Sequence, residues 1–161
     1  MKLFVIRNSC GEPYLIRLSF FEILGYSLKL HVILRSDDDR ALHDHPWTFL
    51  TLMLAGGYYE HTFTKIKGVM KKTWVRPGSL RLCRAPHAHR LELAEEKPTD
   101  DRNGTASVTP TSFFQADAKP MFTPAVTLVF MWPRFREWGF YTSEGWKNWK
   151  SFLSAYPRRD C

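Results

Sequence analysis

The stretch HDHPWTFLTLMLAGG, residues 43–57, sets two histidines around an aspartate, turns at a proline, runs through seven strand-forming residues and closes on two glycines. In an extended chain successive side chains alternate between faces, so His43 and His45 point one way and Asp44 the other. The same doublet recurs at His87-Ala88-His89. There His87, His89, Leu91 and Leu93 share one face while Ala88, Arg90 and Glu92 share the other, which predicts inward-pointing imidazoles. If the two doublets face each other, they offer one divalent metal three or four imidazole nitrogens. The competing readings are imidazoles hydrogen-bonded in a polar core, or placed at a sheet end near Asp37-Asp38-Asp39.

Outward from these doublets the chain reads as short runs of Val, Ile, Leu, Thr and aromatic residues separated by turn signals, the pattern of an all-β sandwich or barrel. Strands are expected at 3–7, 14–20, 27–35, 48–54, 58–65, 70–75, 79–84, 87–93, 126–132 and 137–141. Gly56-Gly57 reads as a two-residue hairpin turn, and Pro77-Gly78 breaks the chain before Ser79. From Ser143 to Leu153 the spacing of Trp146, Trp149 and Leu153 predicts a short C-terminal helix, N-capped by Ser143, with an aromatic packing stripe. The stretch 94–124 holds four prolines and reads as a long loop insertion, which Phe113, Phe114 and Phe122 would fold back onto the barrel. The 161 residues suit a single domain, 1–161.

Composition narrows the classes further. The net charge of +7 favours anionic partners. The cations are scattered, however, with only Lys71-Lys72 and Arg158-Arg159 adjacent, so no nucleic-acid stripe is present and nucleic acid is not expected as a partner. Cys10, Cys83 and Cys161 form an odd set without CxxC spacing, which favours reduced thiols in a cytosol. The N-terminus lacks the apolar centre of a signal peptide, and no segment approaches the roughly 20 apolar residues of a membrane span. A cytoplasmic protein without membrane contact is the expectation.

His43-Asp44-His45-Pro46-Trp47, the strand to Leu54 and the closing Gly56-Gly57 resemble the first motif of the cupin superfamily. Pro77-Gly78-Ser79 through His89 resembles the second. Together they cover about half the chain, from Arg40 to Leu93, and the HDHPW element with Trp138-Gly139-Phe140 is similar to small cupins of bacteria and their phages. The resemblance implies a jelly-roll β-barrel, often a homodimer, with a divalent metal at the centre of its wider mouth. Cupins commonly draw a glutamate ligand from the strand after the first motif, where this chain has Phe49 and Leu50. Glu60 is the tempting substitute. A hairpin at Gly56-Gly57 would pair Met53 with Glu60 and leave it roughly 13 Å along the strand from the vacated position, so Glu60 is expected not to ligate but either to line the cavity or to stand exposed on its strand. His87 then completes an all-histidine set with His43, His45 and His89.

Neutral imidazoles would leave the ion its full charge, and iron, zinc, nickel, copper and manganese all fit such a set. With three ligands and an open position the ion would serve an oxygenase, isomerase or hydrolase acting on a small polar molecule; with four it would be structural. A two-oxoglutarate oxygenase is disfavoured because no histidine has an acid two residues on. The alternative is a non-enzymatic cupin that captures an anionic ligand such as a nucleotide or sugar phosphate. A third reading is a scaffold whose histidines only order the core. Trp47 is a candidate pocket wall, and Arg134 with Arg136 a candidate clamp for an anionic small-molecule ligand at the rim. His31 and His61 read as exposed or edge residues.

Overall fold

A computed structural model describes residues 1–8, 10–37, 41–66, 69–94 and 123–155. Twelve strands run in chain order: β1 Lys2–Arg7, β2 Pro13–Ile23, β3 Tyr26–Ile33, β4 Leu42–His43, β5 Phe49–Ala55, β6 Tyr58–Phe63, β7 Met70–Val75, β8 Leu80–Cys83, β9 His89–Leu93, β10 Ala125–Met131, β11 Gly139–Thr142 and β12 Gly145–Asn148. A single helix, α1 Trp149–Ala155, follows. The strands form two antiparallel six-stranded sheets, ordered β1-β2-β3-β10-β5-β8 and β12-β11-β4-β9-β6-β7. This is an all-β jelly roll with a short C-terminal helix. Leu15, Ile33, Met53 and Ala125 of the first sheet pack against Tyr58, Val75 and Leu93 of the second, so the inner faces close on a shared interior.

The register of the first sheet decides which side chains enter that interior. Directly paired residues point to the same face, and Leu3, Leu18, Leu30, Leu128, Leu52 and Leu80 form one continuous row across all six strands. Phe21, Leu28, Phe130, Leu50 and Leu82 form a second, and Val5, Ile16, Val32 and Val126 a third. All three rows lie on the outer face, where Leu3, Leu80 and Leu82 are 66%, 64% and 58% exposed. The opposite residues, including Arg17, His31, Thr127 and Thr51, face inward. This corrects the reading of His31 as an exposed or edge residue: it is buried. The leucines alternating with it lie on the outside of the barrel, and the inward face of β3 carries Ser27, Lys29, His31 and Ile33.

A second correction concerns Gly56-Gly57. The strands on either side lie in different sheets, β5 between β10 and β8 and β6 between β9 and β7, so the glycines form a corner and not a hairpin. Both have positive φ, +70° and +153°, and the corner is crowded. A Cβ on Gly56 would stand 2.1 Å from the Pro124 carbonyl oxygen, and one on Gly57 2.5 Å from the Trp74 ring. Such spacing forces the chain across the gap between sheets. The Met53–Glu60 pairing therefore does not exist, and Glu60 pairs instead with Leu91 and Thr73.

The C-terminal element also differs from expectation. Ser143 and Glu144 turn a two-residue hairpin, with Thr142 paired to Gly145, whose φ of +106° suits glycine. Trp146 lies in β12, and the cap is Asn148, whose Oδ1 accepts the Lys150 amide at 3.0 Å. The buried helical residue is Phe152, stacked at 4.0 Å on Phe140, while Leu153 is exposed. Cys10 is disulfide-bonded and Cys83 is free and buried, which removes the argument from cysteines for a reducing compartment. No described helix is long and apolar enough to cross a membrane. The expected lid at 94–124 falls almost wholly outside the described residues.

The corner makes a measurable demand. Gly56→Ala is expected to lower stability by about 2 kcal/mol or more, since it adds a backbone clash to the left-handed φ penalty. Gly78→Ala, with φ +83° but open space around it, should cost only about 1 kcal/mol. Urea denaturation of the two variants checks the difference; equal losses would show that the corner has room.

Candidate metal centre

β4 is two residues long, yet it sits centrally, with His43 paired to His89 of β9 on one side and to Phe140 of β11 on the other. The alternation of the backbone turns Asp44 away from the flanking imidazoles into a fully buried position (0% exposed). Its carboxylate accepts the Gly139 amide at 2.8 Å, Arg136 Nη1 at 2.8 Å and Trp146 Nε1 at 3.1 Å. The Asp44 amide donates in return to the Gly139 carbonyl, and the His45 amide to the Ala85 carbonyl, both at 3.0 Å. The doublet is thus clamped from its polar side, and both imidazoles are presented to the interior.

His43, His45 and His89 meet there, with one nitrogen of each within 4.8 Å of the others. Nε2 of His45 lies 2.7 Å from Nε2 of His89. The other nitrogen of His89, Nδ1, lies 2.8 Å from Oε1 of Glu60. A carboxylate only accepts, so Nδ1 of His89 is the donor to Glu60, the tautomer that leaves a lone pair on Nε2 facing His45. His43 Nδ1 is buried with no hydrogen-bond partner, 3.9 Å from Asp37 Oδ2. Three facing imidazoles, one oriented by a buried carboxylate and another with an orphaned nitrogen, suit a cation that the polypeptide does not itself supply. Burial pushes His43 down to about 4, against a smaller upward pull from Asp37. It also holds His45 well below the ordinary range, with the neighbouring histidines adding to the effect. Both rings are neutral near pH 7, the form that ligates.

Glu60 is 1% exposed, and the second sheet, by placing β6 beside β9, brings it under His89. It also pairs with Arg81 and lies 3.4 Å from His87 Nε2. Burial alone would raise its carboxyl; hydrogen bonds from His87, His89 and Arg81 outweigh this and hold it well below the usual range. Glu60, His87 and His89 form a second group of metal-ligand type that shares His89 with the first. The four histidines therefore do not converge on one point: His87, in the turn before β9, stands with Glu60 on the far side of His89. Sequence reasoning missed the Glu60–His89 contact because it depends on which strands pair across the corner.

The imidazoles wall a cavity of about 420 Å³ between the sheets, lined also by Trp47, Trp138, Arg17 and His31. Arg134 and Arg136 are not among its lining residues. Arg134 pairs on the surface with Glu137, and Arg136 is bound to Asp44. His61 pairs with Glu92 at 2.6 Å.

No protein-family model matches the chain, and no curated protein matches it. Solved structures do. A cupin-2 domain protein from Rhodospirillum rubrum superposes with a TM-score of 0.54 over 96% of this chain and 81% of its own, at 11% identity. The chain has the cupin fold. Fe(II) HppE superposes with a TM-score of 0.51 at 12% identity, and the hydroxypropylphosphonic acid epoxidase from S. wedmorenis with 0.50 at 11%. In both, the match covers 81% of this chain and 56% of the other, so this chain corresponds to little more than half of either protein. At these identities the likeness is one of fold.

The buried neutral histidines of this cupin barrel couple its stability to pH. His31 is pushed down to about 3 by burial, with Arg17 and Lys29 adding to it, and His43 to about 4 from an ordinary 6.5. A depressed native pKa gives stability that is complete above 6.5 and drains as pH falls toward 4 and then 3. Each ring withdraws up to about 1.4 kcal/mol per pH unit in its window. Urea midpoints of chelator-treated protein should drop steadily between pH 7 and 4, with a shallower slope for His31→Gln. Parallel profiles would show that His31 is not buried neutral.

Proposed function

We propose that this chain is a metal-binding cupin in which His43, His45 and His89 hold one divalent ion at the wall of the cavity, and a small polar molecule binds beside it. The observation that carries this reading is the contact of His45 Nε2 with His89 Nε2 while Glu60 occupies the other nitrogen of His89. Three imidazoles suit iron, zinc, nickel, copper or manganese and leave room for a further ligand. Such an ion, when bound, polarises a coordinated oxygen or lowers the pKa of water, the common ground of oxygenase, isomerase and hydrolase chemistry. The chain's own residues do the rest: Glu60 fixes the His89 tautomer, Asp44 fixes the doublet, Trp47 walls the cavity, and the two sheets exclude bulk water. His87 Nε2 lies 3.4 Å from Glu60 Oε1 and helps to hold that carboxylate in place.

Protein purified without chelator should carry metal in stoichiometric amount by elemental analysis, and His43→Ala with His45→Ala should lose it. Glu60→Gln should weaken affinity about 10- to 100-fold, as removal of an orienting carboxylate does. Full metal content in the double alanine variant would overturn the assignment.

We also propose that the chain is a homodimer joined through the outer face of its first sheet. The three apolar rows cover about 24 by 13 Å between backbone centres and contain no charged residue. That area is enough for the apolar centre of an interface whose partners each bury about 800 Å². A second copy is the occupant that matches it, apolar face to apolar face about a two-fold axis. Sedimentation at micromolar concentration should give a dimer, and Leu52→Lys a monomer that keeps its metal; a monomeric parent protein would refute the interface.

A further inference from the structure

The cavity has a second polar pole. Arg17 of β2 lines it together with His31 of β3, its direct partner in the register. Arg17 Nε donates to His31 Nε2 at 3.0 Å. His31 is neutral, so this contact fixes the guanidinium without offsetting its charge. With Nε engaged, the two Nη groups remain as a planar fork.

Among the part-buried arginines of the described residues, Arg17 is set apart by its lack of a counter-charge. Arg35, Arg81, Arg90, Arg134 and Arg136 each reach a carboxylate; Arg17 reaches none among the described residues. Lys29, two residues from His31 on the same inward face of β3, adds positive potential, and its own partner Glu22, a largely exposed side chain, stands 3.9 Å away. A part-buried guanidinium without an anion is costly to maintain in a structural core. In a binding cavity the same cost is relieved by each anion that enters.

We propose that Arg17 is the oxyanion-recognition residue of this cavity, taking the carboxylate or phosphate end of a small substrate through its guanidinium fork while the other end of the molecule reaches the histidine centre. This rests on the reading of the cavity as the binding site. It adds to that reading a substrate class, an acid bearing a second polar function, and a length. A sphere of 420 Å³ is about 9 Å across, which a chain of about six bonds spans. Charge-assisted bidentate contact makes the interaction specific for planar or tetrahedral oxyanions over neutral polyols.

The test uses whole metal-loaded protein and defined probes: inorganic phosphate, succinate and, as a neutral control, glycerol, followed by isothermal titration and thermal shift. Phosphate or succinate should bind and raise the melting temperature while glycerol does not, the two acids distinguishing phosphate from carboxylate preference. Arg17→Gln should lower the affinity about ten- to a hundredfold at unchanged metal content, and Arg17→Lys by less. Because a variant can fail by misfolding, phenylglyoxal modification of the parent protein gives an independent readout: the acid should protect Arg17, as mapped by peptide mass. Repeating the titration in chelator separates the two ideas. Anion binding that persists without metal and requires Arg17 supports this site even if the metal assignment fails. Equal affinity in parent and Arg17→Gln, no binding by the parent, or modification of Arg17 unaffected by either acid would each overturn it.

Discussion

The site depends on a carboxylate that takes no part in its chemistry. Asp44 is wholly buried and is compensated by a backbone amide, a guanidinium and an indole, all drawn from the segment 136–146. A buried carboxylate without partners would cost several kcal/mol, so these contacts form together or the barrel wall does not close. Because Asp44 lies between two histidines on an extended backbone, anchoring it aims both imidazoles inward at once. The doublet thus presents two imidazoles and serves as a structural rivet in three residues. The stacking of Trp138 on Trp149 and of Phe140 on Phe152 extends the rivet into the C-terminal helix.

The interior that results is unusual in what it selects. The first sheet turns all its described leucines but Leu15 outward and turns Arg17, His31, Thr51 and Thr127 inward, so hydrophobic burial between the sheets is concentrated in two clusters, one around Met53, Tyr58 and Leu93 and the other around Phe49 and Met131. Between them lies a cavity whose largely apolar lining carries imidazoles on one wall and a guanidinium on another. Desolvation holds the pKa values of His31, His43 and His45 low and strengthens the field of the charges that remain in the cavity.

Much of this was legible in the chain. Alternation, turn residues and the two histidine doublets place nearly every strand, the cupin likeness and three residues that come together, His43, His45 and His89. The failures share one cause. Parity within a strand says which residues share a face but not which face is inside, and His31 was assigned by assuming that leucines point to the core. Strand partnership is likewise not local: glycines that suit a hairpin also suit a corner, and choosing the first put Glu60 far from a histidine it touches. Arg17 carried no local signal at all, because its isolation from carboxylates is a property of the assembled sheets.

β10 lies between β3 and β5 in the first sheet, and its partner on one side, Ile33 against Ala125, is about ninety residues away along the chain. Until that strand arrives, β3 and β5 each present an open edge flanked by an apolar face, the arrangement most prone to pairing with foreign strands. During synthesis the ribosome must deliver most of the polypeptide before the gap can be filled. Quality of biogenesis, more than native-state energetics, then sets how much of this protein a cell obtains, and slow elongation or a scarcity of chaperones should be felt in yield before it is felt in the folded barrel.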